Sequence, residues 1–269
     1  MRNAISSLAA IGAVIAILSL QMALASSPAG AAGIRDAEIE HTIRAYASPL
    51  LRAAGYEPEE VNLHIVNDKD LNAFVTRGQR IFLTSGLLMA ADSPEQIAGV
   101  LAHEIGHITG GHLARLGGAV DDARNQALIG QIIGIALGVL ARDGGVAAVT
   151  VAKSSDVALK GLFRFSRTQE RSADQVAVNL LDQTQTTATG LLSFFEMLLD
   201  QELLVRSRQA AYAVTHPLTE DRIVFIRKHV ERSPYSANRM PRRFRIMHDR
   251  MVAKLKGFIN PPGQTLREY

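Results

Sequence analysis

Residues 103–107 read His103-Glu104-Ile105-Gly106-His107, a pentapeptide whose residue types and spacing can do chemistry. On an α-helix, positions four apart differ by about 40° in azimuth, so both imidazoles leave one face a single turn apart. Two nitrogen donors so placed suit one tetrahedral Zn²⁺ ion. Glu104, beside the first histidine, can reach a metal-bound water without being a ligand. The chemistry that follows is attack of water on a polar bond, with the carboxylate as base. Off a helix, the same residues are only two histidines and a glutamate.

A catalytic zinc needs a third protein donor. His112 stands five residues after His107, where the metzincin pattern wants six. On a continuing helix it lies about 140° around from His107, so it reads as a surface histidine or one that backs a ligand. Glu170 is the better candidate, because a glutamate from a second helix packed across the metal completes a His₂Glu set. Asp174, one turn later on the same face, is placed to accept the distal N–H of a ligand histidine and fix its tautomer. Standing alone, this segment also reads as a solvated, charged helix start.

The elements that must position these residues are partly legible. Ser93-Pro94-Glu95-Gln96 is a helix start: Ser as N-cap, Pro at the first helical position, Gln at the capping-box position. The helix it opens runs to about Ala114. Ile39, Ile43, Tyr46 and Leu50 mark an amphipathic helix ending near Gly55, with Pro49 as a kink. Asn62–Val66 and Arg80–Thr84 are β-rich runs separated by the turn-bearing segment 67–79. Arg80–Thr84 is the expected edge strand against which a substrate would lie extended. Further helices are expected over 169–181 and 191–204, and from Thr219 to about Val230. The fold class expected is α+β, mostly helical, with a small sheet beside the His103–His107 helix.

With 47% hydrophobic and 20% charged residues in 269, the chain can bury a sizeable core. A net charge of +3 does not argue for nucleic acid. Cysteine is absent, which removes disulfides, thiolate metal sites and a cysteine nucleophile. The first residues read as a cleavable signal peptide over 1–25, with Arg2, an apolar run and a small-x-small site at Ala23-Leu24-Ala25. The apolar run falls short of the ~20 residues of a spanning helix. A linker over 26–33 would follow, in an exported, periplasmic setting. Ala127–Ala141, with Gly130, Gly134 and Gly138 at four-residue spacing, would form a helix roughly 22 Å long, too short for a bilayer of ~30 Å. It reads as part of a buried or membrane-grazing helical hairpin within an insertion of about 117–160. Arg239–Lys256 is basic and interleaved with Met240, Phe244, Ile246 and Met251, an amphipathic helix that packs on the domain or touches anionic lipid.

The ordered series HEIGH, an apolar insertion, FSRTQERSAD at 165–174 and THPLTEDRI at 215–223 resembles the HtpX/Ste-type zinc metalloendopeptidases, in their exported BepA-like branch. Asn72-Ala73-Phe74 and Gly86-Leu87-Leu88 extend the resemblance. It implies a zincin-like (gluzincin) metallopeptidase domain over 34–235 and a basic helical extension over 236–269. His103, His107 and Glu170 are the implied zinc ligands, Glu104 the catalytic base, and Asp174 the acid behind a ligand. His216 would lie in a loop over the metal, either displacing the water as a self-inhibiting fourth ligand or donating to the oxyanion. Arg222 either clamps that loop through an acidic partner or is an exposed helix charge. The implied substrates are unfolded or misassembled envelope proteins, with no nucleic acid. BepA-like relatives often continue into tetratricopeptide repeats, and the expectation here is a branch without them. A competing reading is a chaperone-like binding module with a structural or self-inhibited zinc.

Overall fold

Asp36 opens the first helix of the computed structural model: its side chain accepts hydrogen bonds from the backbone N–H groups of Glu38 and Ile39, both at 3.1 Å. Described are residues 33–116, 166–204, 212 and 215–268, with isolated positions between 118 and 128. The leader over 1–25, all but the end of the linker, and nearly all of the apolar stretches 127–141 and 144–152 lie outside the described residues.

Helix α1 (Ala37–Ala53) buries Ile39, Ile43, Tyr46, Leu50 and Leu51 in one stripe. Pro49 lies inside it, yet the helix runs on to Ala53. The lost hydrogen bond costs about 3 kcal/mol, and burying Leu50 and Leu51 around it returns roughly 1.5–3 kcal/mol each. Gly55, at φ +83°, reverses the chain into the sheet.

The sheet has the order β1-β2-β4-β3, from β1 (Gly33–Ile34), β2 (Asn62–Val66), β3 (Ala73–Thr76) and β4 (Arg80–Thr84). β2 runs parallel to β4 with Ile65 opposite Leu83, and β3 runs antiparallel to β4 with Phe74 opposite Phe82. Arg80–Thr84 is therefore an inner strand, not the expected edge. The edge is β3, formed within the segment that reads as turn. Its cue is short: alternating burial over four residues, then a hairpin loop in which Gly78 and Gln79 take φ of +82° and +54°. Phe74 stacks on Phe82 at 5.1 Å between ring centroids, tying the edge to the sheet.

Thr84 ends β4 and accepts from the Leu87 N–H, so α2 (Ser85–Ala90) starts directly from the strand. Then α3 (Pro94–Thr109) begins as the sequence indicates, with Ser93 accepting from the Gln96 N–H at 3.3 Å. It is buried from Pro94 through His107, with α1, β3 and the helix Thr189–Leu204 around it. α3 does not continue to Ala114. It stops at Thr109, Gly111 takes φ +60°, and a separate helical turn follows over 112–116.

Two helices close on α3: α4, over 166–183, and α5 (Thr189–Leu204). Glycines set the approach. A Cβ at Gly106 would lie 2.7 Å from the Ala173 carbonyl oxygen of α4, and one at Gly99 2.8 Å from Leu191 Cα of α5. Next, α6 (Glu220–Arg232) starts with Glu220 and Asp221 in its first turn, where their charge suits the helix dipole, although Thr219 makes no side-chain cap bond. In α7 (Arg242–Ile259), His248, Met251 and Leu255 are buried, Tyr46 donates to the Phe244 carbonyl at 3.1 Å, and Lys254 reaches Asp36 at 2.7 Å. The basic helix thus packs on α1 through an apolar stripe flanked by ion pairs. Among the described residues no helix is long and apolar enough to cross a membrane.

Candidate metal centre

The fit of α3 against α4 brings the sequence-predicted residues to one point. From α3, His103 and His107 place their Nε2 atoms 3.1 Å apart. From α4, the two oxygens of Glu170 lie 3.3 Å from His103 Nε2 and 3.4 Å from His107 Nε2. From the loop before α6, His216 Nδ1 lies 3.3 Å from both His103 Nε2 and Glu170 Oε2. Donors held 2.0–2.1 Å from one ion in a tetrahedron are about 3.3 Å from each other. The four side chains are all buried, the pairs just given meet that spacing, and all four donor atoms lie within 4.8 Å of one another.

The electrostatics also ask for a cation. Burial opposes ionisation of Glu170, but hydrogen bonds and attraction from His103 and His216 outweigh it and hold the carboxyl far below the carboxylate range. Burial likewise opposes charge on His103, yet hydrogen bonds to Asp174 and Glu170 push its pKa up to about 9. His107 is driven the other way, by burial and by the neighbouring His103. His₂Glu with a further imidazole is a donor set that zinc accepts.

Asp174 and Arg222 form the wall behind the donors. Asp174 Oδ1 lies 2.9 Å from His103 Nδ1, as its position one turn after Glu170 indicates. Arg222 donates through Nε and Nη2 to the two Asp174 oxygens at 2.6 and 2.8 Å, and its Nη1 lies 2.9 Å from Glu170 Oε2. Nη1 also donates to the Pro217 carbonyl at 3.0 Å, so one buried guanidinium holds α4 and the loop together. Arg222 is the clamp, not an exposed charge. It lies over the Phe195 ring at 4.8 Å, a contact with no motif to announce it.

His216 reaches over the centre with its ring stacked on Tyr212, centroids 4.5 Å apart. Its Nε2 lies 3.2 Å from the Ala73 carbonyl of β3 and 3.5 Å from Glu104 Oε1. Tyr212 sits in a stretch without pattern, and the sequence gives no signal for it. Glu104 is fully buried, and neither of its oxygens has a hydrogen-bond donor among the described residues. Burial raises its pKa, partly offset by His216 and His103. A cleft of about 360 Å³ at the centre is lined by Phe74, Val75, His107, His112, Glu170 and His216.

His112 departs from the expected azimuth. The reversal at Gly110-Gly111 folds it back, buried, with Nδ1 at 2.9 Å from His107 Nδ1. It is no surface residue, and it lies outside the four-donor cluster.

Residues 34–230 match the family model of peptidase family M48. The chain belongs to peptidase family M48. Its mostly helical α+β, zincin-like fold is the one expected of that family. It is 30% identical over 193 residues to the beta-barrel assembly-enhancing protease of Escherichia coli, covering 71% of this chain and 38% of that protein. It is 29% identical over 172 residues to the metalloprotease LoiP of Escherichia coli, covering 63% and 62%. It is 26% identical over 187 residues to the mitochondrial metalloendopeptidase OMA1 of Schizosaccharomyces pombe, covering 68% and 52%. The chain spans about two fifths of the length of the assembly-enhancing proteases it matches.

In this M48 peptidase, Gly106 is the spacer that lets α4 approach α3. Gly106→Ala is expected to cost about 1–3 kcal/mol through overpacking, and to weaken metal retention because Glu170 and Asp174 move with Ala173. Thermal unfolding and metal content after dialysis check both effects. Unchanged metal content would show that the close approach does not position the donors.

Proposed function

We propose that this M48 peptidase is an exported, periplasmic zinc endopeptidase that hydrolyses peptide bonds of misfolded or stalled envelope proteins. His103, His107 and Glu170 hold the zinc, and His216 closes the fourth position at rest. The observation that carries this reading is the convergence of four buried donor atoms within 4.8 Å of one another, beside a buried glutamate whose oxygens accept no hydrogen bond among the described residues. Bound zinc supplies Lewis-acid polarisation of the scissile carbonyl and a lowered pKa for water. Glu104, raised by burial, takes the proton from the attacking water and returns it to the leaving amine. Asp174 fixes the His103 tautomer. The free edge of β3 offers main-chain hydrogen bonds to an extended substrate in the adjoining cleft. With His216 withdrawn, its place near Glu104 and the Ala73 carbonyl is free for the scissile peptide.

The name of the assembly-enhancing relatives supports envelope substrates, and the leader read over 1–25 supports export. On this reading the peptidase domain spans 34–235 and the helical extension 236–269 packs on it, with any membrane contact made through the apolar insertion. N-terminal sequencing of the exported protein is expected to begin at Ser26.

His216→Ala tests the closed resting state. If the open form is a minor species of roughly 10%, the substitution raises casein cleavage about tenfold. A chaperone-like binding module with a structural zinc predicts no cleavage of unfolded substrates by either form.

A further inference from the structure

We propose that His112 is a positioning residue that fixes the tautomer and orientation of His107 by accepting its Nδ1 hydrogen. The inference rests on the reading of His107 as a metal ligand. With Nε2 of His107 turned to the donor cluster, the neutral ring carries its proton on Nδ1. The atom that faces this Nδ1, at 2.9 Å, is Nδ1 of His112. The rings meet edge to face, with centroids 4.9 Å apart and an interplanar angle of 83°, which points one nitrogen at the other in place of stacking. His112 is buried, so water does not compete freely for the bond.

The backbone is shaped around this contact. Gly111 adopts φ +60°, a conformation that favours glycine and ends α3 early enough to turn His112 back over its last turn. At Gly110 a Cβ would lie 2.2 Å from His112 Nε2 and 2.6 Å from its Cδ2, so that residue has to lack a side chain for the imidazole to stand where it does. Two consecutive glycines thus serve one ring. The two histidines of α3 are then backed differently: His103 by the Asp174 carboxylate at 2.9 Å, His107 by a neutral imidazole. A ligand's distal partner sets its ring orientation and basicity, and its removal typically weakens metal binding about 10- to 100-fold.

The test is the zinc dissociation constant of the full chain, measured by competition with a chelator, together with kcat and KM on casein. His112→Ala is expected to weaken zinc binding about 10- to 100-fold and to lower kcat at saturating zinc with KM held. His112→Asn, which returns an acceptor near the Nδ1 position, recovers most of the affinity. Gly110→Ala, which pushes the ring aside, weakens zinc like His112→Ala and adds little to it in the double variant. If His112→Ala does not fold, Gly110→Ala against wild type carries the test, and unchanged zinc affinity there overturns the proposal. Zinc affinity of His112→Ala equal to wild type overturns the proposal, as does a raised KM with zinc affinity intact, the mark of a substrate contact. A wild-type chain that binds no zinc overturns the metal site itself, and the inference falls with it.

Discussion

Glu104→Gln is expected to reduce casein cleavage about 10³-fold or more while leaving the bound metal in place. The carboxylate lies at the centre but outside the four-donor cluster, so an amide of the same shape removes the base without removing a ligand. Both oxygens lack donors among the described residues, so no structural hydrogen bond is lost with them. The comparison is cleanest in the His216→Ala background, where a low resting rate cannot hide the difference. Retained cleavage would remove Glu104 from the mechanism, and lost metal would make it a ligand.

Arg222→Leu is expected to be the most destabilising single change at the centre, at about 3–5 kcal/mol, because it leaves buried carboxylates without their partner. For a domain of this size that is a fall in Tm of roughly 6–20 °C. Arg222 alone joins Asp174, Glu170 and the Pro217 carbonyl, so the loop carrying His216 should loosen as well. Arg222→Lys restores the charge but not the paired hydrogen bonds, and recovers only part of the loss. The pH dependence follows from Asp174. Burial pushes its carboxyl up, but Arg222 and His103 outweigh burial and hold it below its ordinary value. A carboxyl depressed in the folded state stabilises fully above its unfolded pKa of about 4. That stabilisation fades as pH falls through the lower folded value. Arg222→Leu should flatten this acid limb; a Tm within about 2 °C of wild type would show that the clamp is not structural.

Much of the centre is legible because helix periodicity converts sequence spacing into geometry. His103, Glu104 and His107 need only α3, and Ser93-Pro94 announces its start. Glu170 and Asp174 are one turn apart for the same reason. What the spacing cannot give is where a helix stops. The expectation for His112 assumed that α3 runs to Ala114, and two glycines with one positive φ reverse that geometry. The sheet shows a second limit. Arg80–Thr84 is the more strongly β-patterned run, and strong pattern marks the inner strand, while the edge strand Ala73–Thr76 has four residues of which every second one is only partly buried. Strand order is decided by pairing between distant segments, which no local pattern contains. Tyr212 and Phe195 belong to the same class: their value lies in the ring stacked on His216 and the guanidinium stacked on Phe195, both tertiary contacts.

In the proposed site, three side chains from α3 and α4, with His216, surround one zinc ion. Zinc-edge X-ray absorption of the purified chain measures this directly. The expected result is one zinc per chain with four nitrogen and oxygen neighbours at about 2.0–2.1 Å and the outer-shell scattering of imidazole. In His216→Ala one imidazole should give way to a light oxygen neighbour. A six-coordinate oxygen shell, or a chain that retains no zinc, would rule out this site.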